Sequence, residues 1–246
     1  MLVPTLFAVG NIPPIFAAAG GFSIWRQTTL EAKVIIVILI LFSIGAWSVM
    51  AFKALQMRRA RRLNQFFATE FKSQKHVLDM FDRRIQAEGC PLFAVYQAGS
   101  IELDARLKGA AGEARKPNIS LKSMEHVKRL IENAVAQESL KLESGLILLA
   151  IAVSGGPFLG LLGTVWGVMD TFAGIAASGQ GNATMAAMAP GVSAALATTV
   201  AGLLVAIPSM FGYNWLVHNL RVRTVELDNF AQELVSKMET EYLSDE

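Results

Sequence analysis

The polar side chains best suited to chemistry in this sequence lie inside two long apolar stretches. Thr164 and Asp170 fall in the first stretch, and Thr198 and Thr199 fall in the second. A hydroxyl both donates and accepts hydrogen bonds, so it can orient water or pass on a proton without carrying charge. These residues are therefore candidates for a proton- or cation-handling site.

Asp170 is the only formally charged residue among the 77 between Glu143 and Arg221. A charged carboxylate in hydrocarbon costs at least about 2.5 kcal/mol, so this residue must be protonated, paired, in contact with water or close to the membrane boundary. It lies eight residues before Ser178. The sequence leaves open whether Asp170 marks the outer boundary or takes part in ion handling.

A stripe of small residues accompanies these polar groups. Glycines of the first stretch are spaced by three, four and seven residues and share one helical face, while the second stretch adds glycines and a proline that weakens the helical hydrogen-bond ladder. This pattern predicts close helix packing, within one chain or between copies. The helix-packing candidates are Gly160, Gly163, Gly167, Gly174, Pro190, Gly191 and Gly202.

Composition indicates which environment holds these stretches. Of the 246 residues, 53% are hydrophobic and 17% are charged, and the mean hydropathy is +0.42; soluble domains carry about 25% charged residues. Disorder is excluded by the apolar content, and a disulfide scaffold by the single cysteine, Cys90. The chain is predicted to be an all-α integral membrane protein.

Three membrane spans account for the charge pattern, because each span needs about 20 mostly apolar residues. We predict transmembrane helices at 31–52, 144–177 and 185–216, with a short periplasmic loop at 178–184. Basic residues follow the first and third spans, and the loop carries none. The positive-inside rule therefore predicts the N-terminus outside and the C-terminus inside. Residues 1–30 lack a basic n-region, which favours a retained periplasmic or interfacial segment over a cleaved signal peptide.

The remaining residues are predicted to form long cytoplasmic helical extensions, a domain at 53–143 and a C-terminal helix at 217–246. Apolar residues between Leu63 and Ile85 recur at spacings of three and four, which predicts one amphipathic helix ending at the turn 89–91. A second helix is expected at about 92–107. A third, capped by Ser120 or Ser123, is expected to continue unbroken into the second span.

Motifs for catalysis or metal binding are absent from the sequence, so we expect no enzyme, no metal and no cofactor. Glu138 is placed to pair with Lys141 along a helix. Glu143 has no such partner and stands close to the membrane boundary. The basic run at 53–62 is interpreted as a topology signal that contacts lipid headgroups, not as a nucleic-acid site.

Three motifs carry a resemblance to a known family. They are PFLGLLGTVWGVM at 157–169, APGVSAALATTVAG at 189–202, and AIP at 206–208 followed by YN at 213–214. The chain resembles the MotA/TolQ/ExbB proton-channel family. FSIGAW at 42–47, the glutamates 138 and 143, and DNF at 228–230 look most like the TolQ branch, with the ExbB branch as the near alternative.

The resemblance implies a multi-pass protein of the bacterial inner membrane that forms a homopentamer. The second and third spans would line a central pore that encloses the single spans of two TolR- or ExbD-like subunits. Protons would pass through an aspartate of that partner, and a TolA- or TonB-like protein would receive the force. Thr164 and Thr199 match the pore-lining threonines of the family.

One departure from the family pattern is that Ala194 occupies the position of a span-three glutamate in TolQ and ExbB. The pair Thr198-Thr199 is closer to the MotA branch, which also lacks that acid. We hypothesise that Asp170 partly replaces the missing carboxylate. The resemblance favours a TolQ-like role in outer-membrane integrity and cell division; the alternatives are ExbB-like energisation of uptake and a non-conducting oligomeric scaffold.

Overall fold

The computed structural model describes residues 30–108, 115–177 and 185–243. Within these ranges the chain forms six helices: α1 (Leu30–Ser73), α2 (Asp79–Asp82), α3 (Pro91–Lys108), α4 (Leu121–Glu143), α5 (Leu146–Ala177) and α6 (Met185–Tyr242). The same ranges contain no strand, only an isolated bridge between Ile119 and Leu243. The all-α prediction is confirmed. The predictions for the first 29 residues and for the loop 178–184 lie outside the described residues.

Three of these helices, α1, α5 and α6, are long and apolar enough to cross a membrane, as predicted. The 32 residues of α5 span about 48 Å at 1.5 Å per residue, longer than a hydrocarbon core of about 30 Å. Large apolar side chains point outward along them, among them Leu41, Phe158 and Leu204, which are 63%, 72% and 69% exposed. Such exposure suits helices that face lipid, because no hydrophobic penalty arises there.

The chain divides into two compact units. The first comprises the described residues of Met1–Gly45 and Ile151–Ser209, and the second comprises the described residues of Ala46–Ala150 and Met210–Glu246. In the first unit, Ile35, Leu39 and Val205 form a small buried cluster. All the predicted intramembrane site residues, at positions 160–202, also lie in the first unit.

The second unit is held together by an aromatic cluster with ring centroids 5.2 to 6.4 Å apart, mostly in edge-to-face or tilted pairs. Its members are Phe67, Phe71, Phe93, Tyr96 and Phe230. Aromatic pairs of this geometry add about 0.5–1.5 kcal/mol each beyond the burial of their surface. The cluster joins α1, α3 and α6 in one core.

The prediction of a single helix through Ile85 is wrong, because α1 ends at Ser73. Beyond that point, side chains of other elements bind the backbone. Glu241 accepts a hydrogen bond from the amide of Val77 at 2.9 Å, and the Tyr96 hydroxyl donates to the Val77 carbonyl at 2.7 Å. These bonds satisfy polar groups that a continuing helix would have paired internally.

The prediction that the third helix runs unbroken into the second span is also wrong. Ser120 does cap α4, since its hydroxyl accepts a bond from the amide of Ser123. The helix then ends at Glu143, and Gly145 adopts a φ of +83° before α5 begins. A positive φ favours glycine, so this position turns the chain between the two helices.

Lys53 stabilises this turn. Its side chain is buried, with the residue only 4% exposed, and its Nζ donates to the carbonyls of Lys141 and Leu142 at 3.3 and 3.2 Å and to the Ser144 hydroxyl at 3.3 Å. The last carbonyls of a helix lack partners within the helix, and a cation at that end also suits the helix dipole. Lys53 is therefore a C-terminal cap supplied by another helix.

We expect Lys53→Met to destabilise the protein by about 1–3 kcal/mol, because it removes the cation that donates to the buried carbonyl of Leu142. The thermal unfolding midpoint of the detergent-purified protein measures the effect. Arg58→Met is the matched control, because Arg58 is an exposed cation of the same basic run. Equal midpoints for the two variants would show that the cap contributes nothing.

Candidate functional site

Three threonine hydroxyls converge on one main-chain oxygen in the first unit. The Oγ1 atoms of Thr164, Thr198 and Thr199 each lie 3.1 Å from the carbonyl oxygen of Gly160. Thr164 and Thr199 are also hydrogen-bonded to each other through their hydroxyls. The carbonyl of Ala195 accepts from Thr198 at 2.6 Å and lies 3.3 Å from the Thr164 hydroxyl. These five residues are called the hydroxyl cluster below.

The hydroxyl cluster has more donors than one carbonyl can satisfy. A carbonyl oxygen offers two lone pairs, whereas three hydroxyls surround that of Gly160. The Thr164 and Thr199 hydroxyls can therefore exchange between the carbonyl and each other, and either of the two can donate in their mutual bond. Alternation of donors along a chain of hydroxyls moves a proton, or orients a water that carries one, without creating a fixed charge.

The cluster exists because α5 and α6 approach very closely. A Cβ added to Gly160 would lie 2.9 Å from the Cα of Thr199, and one added to Gly163 would lie 2.7 Å from the Cβ of Thr198. At Gly167 the added atom would be 2.8 Å from the Cβ of Ala195. Contacts below 3.0 Å are not tolerated without a shift of the helices or of the facing side chain, so the close approach favours glycine at these three positions.

Gly202 belongs to the same contact, since a Cβ there would overlap the carbonyl oxygen of Gly156. Gly191 meets Thr171, whose hydroxyl donates to the Gly167 carbonyl at 2.7 Å. Gly174 differs from these positions, because no atom lies within 4 Å of its added Cβ. Pro190 is exposed near the start of α6. Within the described residues, the chain thus packs most of the glycine stripe internally and leaves Gly174 and Pro190 on its surface.

Asp170 is not part of the hydroxyl cluster. It lies six residues after Thr164, about 9 Å further along α5 and on a different face of the helix. Its side chain is half-buried and has no hydrogen bond or ion pair with any residue that the structure describes. Ala194, which is 8% exposed, lies between the cluster and the start of α6.

The two glutamates singled out from the sequence lie in the second unit. Glu138 Oε1 forms an ion pair with Lys141 Nζ at 2.5 Å, and the Glu138 side chain is only 14% exposed. Glu143 is the exposed last residue of α4. Neither glutamate contributes to the hydroxyl cluster, which belongs to the first unit.

Two groups at the contact of α5 and α6 were not identified from the sequence. Gly156 contacts α6 directly, and the carbonyl of Ala195 is an acceptor that residue type does not reveal. Pro157 could have indicated the contact at Gly156, because a proline inside a helix removes one backbone N–H donor and interrupts the helical hydrogen bonds at that point. No comparable signal exists for a main-chain acceptor.

Comparison with known proteins identifies the family of this chain. Residues 102–229 match the model of the MotA/TolQ/ExbB proton channel family. The biopolymer transport protein ExbB of Neisseria meningitidis is 30% identical over 81% of this chain and 88% of its own. The Tol-Pal system protein TolQ of Haemophilus influenzae is 32% identical over 87% of this chain and 91% of its own, and that of Pseudomonas aeruginosa is 31% identical over 82% and 85%. The chain belongs to the MotA/TolQ/ExbB proton channel family.

Proposed function

We propose that this chain is the proton-conducting, stator-like subunit of an inner-membrane complex that converts proton-motive force into mechanical work on envelope partners. The observation that carries the proposal is the hydroxyl cluster, in which neutral groups with exchangeable hydrogen bonds occupy the close contact of α5 and α6. Such groups suit proton transfer and offer little to a larger cation, which needs several oxygen ligands.

The assembly that we propose is a homopentamer with the N-terminus of each subunit outside and the C-terminus inside. The exposed apolar surface of α5 and α6 would face neighbouring copies and the single spans of two TolR- or ExbD-like subunits. A TolA- or TonB-like protein would receive the force. Because the chain offers few ionisable groups in its spans, the main titrating carboxylate would belong to the single-span partner.

Proton flux tests the proposal directly. The chain and its single-span partner are co-purified and reconstituted in liposomes with a pH-sensitive dye, and an imposed potential drives flux. We expect a flux that depends on the partner and persists when Na⁺ is replaced by an impermeant cation. A complex that assembles but conducts no protons would support the alternative function, a non-conducting oligomeric scaffold. The observation that favours this alternative is the alanine at position 194, where a carboxylate is missing.

Within the family we propose the TolQ-like role, supported by the motif at 42–47 and by relatives of that name. The ExbB-like role is the second candidate, because relatives named ExbB are equally similar. Deletion of the gene separates the two. Loss of outer-membrane integrity with delayed constriction supports the TolQ-like role, and loss of receptor-mediated nutrient uptake supports the ExbB-like role.

Asp170 gives a further prediction. If it partly replaces the carboxylate missing at Ala194, then Asp170→Asn reduces proton flux several-fold while the assembled complex stays intact, because the amide cannot take up and release a proton. Flux in reconstituted liposomes and the size of the purified complex are the two measurements. Wild-type flux in the variant contradicts the hypothesis and assigns Asp170 to the membrane boundary.

A further inference from the structure

A cavity of about 540 Å³ lies in the second unit, where α1, the start of α3 and the end of α4 meet. Its volume falls within the range of about 300–1,000 Å³ typical of small-ligand sites. Charges of both signs line it: Arg59 and Lys141 contribute cations, and Glu88 and Glu138 contribute carboxylates. This distribution differs from the purely basic run that surrounds Arg59 in the sequence.

The cavity lies at the level expected for lipid headgroups. The uncharged stretch of α1 ends at Phe52, and Gln56 and Arg59 follow it by about 6 and 10 Å along the helix axis. On the other wall, Lys141 stands five residues before Leu146, where the uncharged helix α5 begins. The headgroup layer occupies about 5–8 Å on each side of the hydrocarbon. Both walls therefore place the lining residues within or just beyond that layer.

Apolar surface connects the cavity with the hydrocarbon. Phe52, Gln56 and Arg59 are spaced by four and seven residues, so they share one face of α1. Phe52 and Leu55 are 67% and 66% exposed, and Leu140 on α4 is 65% exposed. An acyl chain that lies along this surface would bring its headgroup to Gln56 and Arg59. A soluble anion would gain nothing from these exposed side chains.

Two side chains that line the cavity, Gln56 and Glu138, carry oxygen atoms that can accept a further hydrogen bond. The Oε1 atom of Gln56 is buried and has no hydrogen-bond partner among the described residues. The Glu138 carboxylate, which lines the same cavity, is only 14% exposed, although the Lys141 side chain that pairs with it is 67% exposed. A buried acceptor without a donor costs about 1–3 kcal/mol. An ammonium group has three donors, so it can supply the missing donor to Gln56 Oε1 and a second donor to the Glu138 carboxylate, which already accepts from Lys141.

We propose that this cavity binds the headgroup of a zwitterionic phospholipid with a primary ammonium, phosphatidylethanolamine. The phosphate contacts Arg59 and Lys141, and the ammonium donates to Gln56 and Glu138. Phosphatidylglycerol supplies the phosphate without the ammonium. Phosphatidylcholine carries a quaternary ammonium that has no N–H to donate. The site thus discriminates between headgroups by hydrogen bonding.

The test is a lipid competition on the full-length protein. Purified protein, stripped of lipid in detergent, is exposed to equimolar phosphatidylethanolamine, phosphatidylglycerol and phosphatidylcholine, and the retained lipid is identified by native mass spectrometry. We expect phosphatidylethanolamine to exceed each competitor by about tenfold, the ratio that corresponds to roughly 1.4 kcal/mol. Equal retention of the three lipids, or a preference for phosphatidylglycerol, would overturn the proposal and leave only attraction to a basic surface.

Variants locate the bound lipid. Glu138→Gln and Arg59→Gln are expected to remove the preference, while Arg62→Gln, which neutralises an exposed cation of the same run that does not line the cavity, retains it. Unfolding midpoints verify that each variant is folded. A preference that survives both cavity substitutions in folded protein would mean that the lipid binds elsewhere and would refute the assignment.

Discussion

Thr199→Val is expected to lower proton flux by about tenfold, because the loss of one hydrogen bond worth about 1–1.5 kcal/mol at the limiting point of transfer raises the barrier by that amount. Valine keeps the branched shape of threonine but replaces the hydroxyl that bonds both Thr164 and the Gly160 carbonyl. The chain of donors is then interrupted while the helix contact remains. Dye-monitored flux in liposomes that contain the complex measures the effect.

Two further variants make this result specific. Thr199→Ser restores a hydroxyl and is expected to recover most of the flux. Ser209→Ala removes a buried hydroxyl of α6 that donates to the carbonyl of Val205 at 2.7 Å, within its own helix, and is expected to leave flux unchanged. If Thr199→Val conducts like wild type in an intact complex, the hydroxyl cluster is not on the proton path. If Ser209→Ala is equally impaired, the loss reflects helix packing.

The helices could be predicted from the sequence because their determinants are local. The charge-free stretches at 34–52 and 144–220, interrupted only by Asp170, define the three spans without reference to tertiary structure. The end of α1 at Ser73 could not be predicted, because Glu241 and Tyr96 bind the chain there from distant positions. The turn at Gly145 depends in the same way on Lys53, which lies 91 positions before Ser144.

In the candidate site, too, the residues could be predicted from the sequence but their arrangement could not. Residue types and spacing single out Thr164, Thr198 and Thr199 as polar groups of apolar helices, but they do not tell which backbone oxygen those groups share. That oxygen belongs to Gly160, whose missing side chain matters for packing and whose carbonyl matters for hydrogen bonding. The convergence requires two helices in contact, so it appears only in three dimensions.

The second prediction with a large expected effect concerns the close contact of α5 and α6. Gly202→Ala is expected to destabilise the protein by about 1–3 kcal/mol, the usual cost of overpacking a close contact, and to reduce flux as well. The added Cβ would overlap the carbonyl oxygen of Gly156, which is backbone and cannot rotate away. The helices must then separate, and the distances from the Thr198 and Thr199 hydroxyls to Gly160 must lengthen.

Gly174→Ala is the matched control, because its Cβ would meet nothing within 4 Å, and alanine stabilises a helix over glycine by about 0.5–1 kcal/mol. Thermal unfolding midpoints of the detergent-purified variants and proton flux of the reconstituted complexes are measured together. A loss of both at Gly202 with neither at Gly174 means that the close contact of α5 and α6 holds the hydroxyls in place. Unchanged stability and flux in Gly202→Ala would contradict this. That result would mean that the hydroxyls do not depend on the close contact of α5 and α6.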